Sequence, residues 1–102
     1  MSNNTTHSRE NLLQILRSLK PELAIRYHVQ RIGLFGSFVR GEETETSDVD
    51  ILVEFSQPVG FFKFLELEEY LQEALGIKVD LVSKKALKPT IGRYILNEVV
   101  MA

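Results

Sequence analysis

The chain has 102 residues, 44% hydrophobic and 25% charged, with a formal net charge of −2. This describes one globular domain with a single core, too short to add a second substrate-binding domain. The slight negative charge offers no general attraction to a polynucleotide, so direct nucleic-acid binding is not expected.

There is no cysteine, so disulfides and thiolate metal sites are excluded. No apolar run nears the ~20 residues of a spanning helix. Residues 1–7 are polar and lack the basic start and apolar stretch of a signal peptide. The expectation is a cytoplasmic protein with no membrane partner, with residues 1–7 disordered and residues 8–102 forming one domain.

Ser8 can cap a helix in which Leu12, Ile15, Leu16 and Leu19 recur on one face. Lys20-Pro21 interrupts it, leaving residues 21–27 as a second short helix or a bent continuation. Residues 30–35 read as a strand, the Gly36-Ser37 turn leads into a short helical segment at 38–40, and 41–47 is polar and irregular. Residues 48–55 form a second strand, whose period of two places Asp48 and Asp50 on one face with Cα atoms about 6.6 Å apart.

Gln57-Pro58-Val59-Gly60 breaks the pattern before an amphipathic helix over 61–75, with Phe61, Phe64, Leu65, Leu71 and Leu75 facing inward and Gly76 as its C-cap. Phe62, off that stripe, is the aromatic that could face a partner. Residues 77–82 give a third strand containing Asp80, and Pro89 leads into a last helix over 90–98 carrying Ile91, Ile95 and Leu96. Val99-Val100-Met101 fits a final strand, a dimer contact or a partner-binding surface. The order predicts an α+β fold, a small three-stranded sheet with helices packed against it.

Three aspartates could do chemistry. Asp80 stands within the apolar run Val79-Asp80-Leu81-Val82, where an ionised carboxylate needs a partner. Beside Asp48 and Asp50 it would complete an oxygen-only site suited to Mg²⁺; alone, it is a charge guarding an exposed sheet edge. An Asp-x-Asp pair and a Gly-Ser turn are each common for local reasons. Together they are more specific. A glycine-serine turn opening a helix presents N–H groups and a hydroxyl to phosphate oxygens, and carboxylates on the next strand can hold a metal bridging those phosphates. Arg40 could reach the phosphates or pair with Glu42, Glu43 or Asp48. His7 and His28 are poor candidates for catalysts, and Lys84, Lys85 and Lys88 read as a solvated turn.

The stretch Gly36-Ser37-Phe38-Val39-Arg40-Gly41 through Ser47-Asp48-Val49-Asp50-Ile51-Leu52-Val53 resembles the GSFxRG and SDxD motifs of the minimal nucleotidyltransferases, the small single-domain branch of the DNA polymerase β-like superfamily. Val79-Asp80-Leu81-Val82 resembles the family's third-aspartate strand. The resemblance implies the polymerase β-like nucleotidyltransferase fold and transfer of a nucleoside monophosphate from a triphosphate such as ATP to a hydroxyl. It implies two Mg²⁺ ions held by Asp48 and Asp50, with Asp80 ligating the one nearest the acceptor and helping to remove its proton. Gly36 and Ser37 would cradle the β- and γ-phosphates.

So short a chain lacks the domain that grips a small second substrate, so the acceptor is expected to be a macromolecule. Many proteins of the resembled family are antitoxins paired with a HEPN RNase toxin, and members can attach AMP to a tyrosine of the toxin, which is the function the resemblance implies here. Two alternatives stand beside this: an antitoxin that neutralises by binding alone, and transfer to a small molecule in a homo- or hetero-oligomer that supplies the missing pocket.

Overall fold

The computed structural model describes residues 7–102. The expected disorder over 1–7 therefore falls outside the described residues except for His7, which sits half-buried in a turn.

Helix α1 (Arg9–Tyr27) begins where the Ser8 hydroxyl accepts a hydrogen bond from the Asn11 N–H at 3.1 Å. It runs unbroken through Pro21, so the two alternatives at that proline resolve into one continuous helix. An interior proline costs about 3 kcal/mol. Leu12, Leu13, Leu16, Leu23 and Tyr27 are buried on both sides of it, and their shared packing holds the two halves together. The helix ends at His28, in the left-handed region at φ 59°.

Strand β1 (Val29–Phe35) leads to the four-residue helix α2 (Ser37–Arg40), then β2 (Val49–Phe55), α3 (Phe61–Leu75) and β3 (Val79–Ser83). After a short 3₁₀ turn at Lys84–Ala86, α4 (Pro89–Glu98) and β4 (Val100–Met101) complete the fold. The sheet order is β3-β2-β1-β4, with β1 antiparallel to both β2 and β4, and β2 parallel to β3. The α+β class is as expected, but the sheet has four strands, not three: β4 pairs Gly33 with Met101 and Leu34 with Val100. Two residues are too few for periodicity to reveal. Gly33 permits this approach, since a Cβ there would stand 2.7 Å from the Val100 carbonyl.

Alternation in the strands separates two sheet faces. Val49, Ile51 and Val53 of β2 join Ile32, Leu34, Val79 and Leu81 in the core beneath α1 and α3. Asp50, between Val49 and Ile51, and Asp80, between Val79 and Leu81, belong to the opposite face. α3 buries Leu67, Leu71 and Leu75, with Phe64 partly covered. Phe61 and Leu65, expected inside, are 69% and 42% exposed. Leu65 lies off the stripe of Leu67, Leu71 and Leu75, and Phe61 belongs to the first turn, where it pairs edge-to-face with exposed Phe62 instead of meeting the core. Ile91 and Leu96 of α4 are likewise exposed.

A polar and aromatic cluster fastens α1 to α3. Tyr27 and Tyr70 lie 5.7 Å apart with the Arg26 guanidinium over both rings, and Glu22 accepts from Arg26 at 2.8 Å and from the Tyr70 hydroxyl at 2.9 Å.

Leu67→Ala is expected to cost about 2–5 kcal/mol of unfolding free energy, and Phe61→Ala within about 0.5 kcal/mol of nothing, in urea titrations. Comparable losses would return Phe61 to the core.

Candidate active site

β1 leaves the sheet at Phe35, and the chain turns at Gly36 with φ 82°, a conformation only glycine adopts without strain. Close approach makes the same demand: a Cβ at Gly36 would collide with the Asp50 carboxylate. Ser37 then opens α2, and Phe38, 5% exposed, drops into the core and anchors the turn. Arg9 also donates to the Val39 carbonyl at 3.2 Å.

Asp48 sits one residue before β2, exposed, just after a turn in which the Thr44 N–H donates to the Ser47 hydroxyl at 2.8 Å. Asp50 is half-buried within β2, directly opposite Phe35. The parallel register pairs Asp50 with Asp80. Asp80 is exposed on the edge strand, so the premise of a buried carboxylate does not hold. Edge position and convergence on Asp50 nevertheless coexist, because the neighbour across the ladder is itself an aspartate.

Burial, followed by the charges of Asp80 and Asp48, pushes the Asp50 carboxyl up to about 6. Arg40 works weakly the other way. Asp50 feels the charges of the other two carboxylates, yet among the described residues the three are not drawn into a ready three-ligand cluster. Their donor set is entirely oxygen, and the repulsion on Asp50 is what a divalent cation would relieve, so these residues fit Mg²⁺.

Arg40 is spoken for. Its Nε donates to Glu42 at 2.9 Å and its Nη1 to both oxygens of Glu98 at 3.0 and 3.2 Å, and these contacts hold its guanidinium above its ordinary pKa. The pairing with Glu42 is one of the alternatives the sequence left open. Glu98, which also accepts from the Gly36 N–H at 2.7 Å, was not foreseen. Its signal was present only jointly: it needed β4 to be recognised and set in register against β1.

A cavity of about 880 Å³ opens at the far end of β2 and β3, bounded by Phe55, Pro58, Phe61, Phe64 and Lys84. It is lined by the C-terminal halves of the strands, Glu54 and Phe55 of β2 and Leu81, Val82 and Ser83 of β3, whereas Asp50 and Asp80 stand in the N-terminal halves and do not line it.

The sequence model for the nucleotidyltransferase domain matches residues 9–101. The chain belongs to this family. Among nucleotidyltransferases with curated descriptions, the protein adenylyltransferase MntA of Thermococcus cleftensis is 53% identical over 91 residues, covering 89% of this chain and 92% of that one. A candidate minimal nucleotidyltransferase of known structure superposes with a TM-score of 0.71 at 34% identity, covering 86% of this chain and 93% of that one. A toxin-antitoxin crystal structure with AMP-PNP gives 0.72 at 26% identity, covering 89% and 71%. This chain is thus a nucleotidyltransferase of the minimal kind, and its Gly36-Ser37 turn, Asp48, Asp50 and Asp80 lie around one end of β2.

The displaced Asp50 carboxyl sets a pH dependence. Its pKa in the fold, about 6, exceeds the ordinary 3.8. The folded state therefore holds that proton more tightly, and the stability it contributes is complete below the unfolded value and lost as pH rises through about 6. In the presence of EDTA, Asp50→Asn is expected to melt above the wild type at pH 7.5, with the gap closing as the pH falls through 6. A gap that widens in acid would contradict this origin.

Proposed function

We propose that the protein transfers AMP from ATP to a hydroxyl, a tyrosine of a partner HEPN RNase toxin, and so acts as that toxin's antitoxin. The observation that carries this reading is the pairing of Asp50 with Asp80 beside the Gly36-Ser37 turn, in a chain 53% identical to a protein adenylyltransferase.

Ser37 supplies a hydroxyl and the first N–H groups of α2, which have no intrahelical acceptor, to the phosphates. Gly36 brings that turn against Asp50. Asp48, Asp50 and Asp80 would hold Mg²⁺, which when bound acidifies the attacking hydroxyl and neutralises charge on the departing pyrophosphate. The acceptor oxygen bonds to the α-phosphorus as the bond to the bridging oxygen of the β-phosphate breaks, and pyrophosphate leaves with that electron pair. Asp80, exposed on the edge strand, is the carboxylate an incoming hydroxyl meets first and the one suited to take its proton. Arg40, already neutralised by two carboxylates, orders the turn and does not lead in gripping phosphate.

A protein acceptor suits the exposure of Asp48 and Asp80, since a large partner can cover a surface site and exclude water from it. Incubating purified protein with its HEPN partner, Mg²⁺ and ATP is expected to add the mass of AMP to the partner. Asp50→Ala should lower that yield at least 100-fold, on the order expected for losing a central electrostatic group. Neutralisation of the partner without any mass gain, undiminished in Asp50→Ala, would establish binding alone as the mechanism.

A further inference from the structure

β4 does more than close the sheet. It pairs antiparallel with β1, Gly33 against Met101 and Leu34 against Val100. Continued two residues further, that register sets Glu98 opposite Gly36. The Glu98 carboxylate meets the Gly36 N–H at 2.7 Å and the Arg40 Nη1 at 3.0 and 3.2 Å, with its own side chain 27% exposed. One acidic side chain thus joins the last turn of α4 to both ends of the glycine-serine segment. Asp50 presses on Gly36 as well, so the turn lies between two carboxylates.

We infer that Glu98 is a positioning residue for nucleotide transfer: by fixing the Gly36 amide and the Arg40 guanidinium together, it sets the direction in which the Ser37 hydroxyl and N–H are offered to the triphosphate. Hydrogen bonds to ionised groups are short and strong, and this carboxylate makes them to a backbone donor and to a guanidinium at once. Holding the Gly36 N–H restrains the backbone torsions beside it, and with them the placement of Ser37, the next residue. Arg40 supplies the counter-charge that lets an acidic group stand beside a site already rich in aspartates. The inference rests on the nucleotidyltransferase reading of the Gly36-Ser37 turn.

The experiment compares Glu98→Ala, Glu98→Gln, Arg40→Ala and the double variant Arg40→Ala with Glu98→Ala, all well below their melting temperatures. Three readouts are used: hydrogen exchange at the Gly36 amide, calorimetric titration with Mg²⁺ and AMP-PNP, and AMP transfer to the partner. Glu98→Ala is expected to lose protection at Gly36 and to bind AMP-PNP about tenfold more weakly, the scale of losing a group that orients a site. Glu98→Gln keeps an acceptor for the Gly36 N–H and should recover protection and part of the affinity. The double variant should bind no more weakly than the worse single variant, because the two side chains act through one contact.

Unchanged protection in Glu98→Ala would overturn the inference, as would wild-type affinity. Tighter binding would also overturn it, making the carboxylate an occupant of phosphate space that substrate must displace. Wild-type protein that binds AMP-PNP but transfers nothing would refute AMP transfer while leaving the Glu98 comparison intact; wild-type protein that binds no nucleotide would refute both.

Discussion

Two carboxylates, Asp50 and Asp80, are set side by side by the parallel pairing of β2 and β3 and are held there against their own repulsion. The fold supplies the restraint from the opposite sheet face. Val49, Ile51, Val79 and Leu81 flank the acids in sequence and are buried beneath α1 and α3. Sliding either strand by one residue to separate the charges would turn those apolar side chains outward, which the hydrophobic core forbids. The pair thus keeps a repulsion on Asp50 that the packing of the opposite face prevents it from relaxing.

Ligand placement and helix packing are consequently the same problem here. α1 and α3 bury the core face, and the contacts of Tyr27, Tyr70, Arg26 and Glu22 fix the helices to one another. α2 is too short to be stable alone; buried Phe38 and the turn at Gly36 define it. The motif residues divide accordingly, with Phe38 serving the core while Ser37 opens the helix outside it.

The motif itself was legible in the sequence because its logic is local: glycine for a positive φ, aspartates two residues apart at the start of a strand, which begins at Val49 and so leaves Asp48 just outside it, and a third aspartate in an apolar run. The parallel register that unites them was inferable from the βαβ order of β2, α3 and β3. The inward face of α3 was less so, since Phe61 matches Leu67 in hydrophobicity and only the extent of the sheet beneath the helix decides between them. The passage of α1 through Pro21 is a tertiary outcome that propensity alone argues against. Glu98 was hidden for a different reason. Its partners lie 58 and 62 residues away, and the strand that delivers it is two residues long.

Gly36 carries no side chain, yet the space a Cβ would take there is filled by the Asp50 carboxylate. Any replacement would add volume where Asp50 must stand, so backbone strain and a displaced acid would arrive together. In a mutational scan this position would be indistinguishable from one whose side chain does chemistry, although it has no side chain of its own. The fold has made an empty space into part of the candidate site, and its contribution is measured by what it leaves room for.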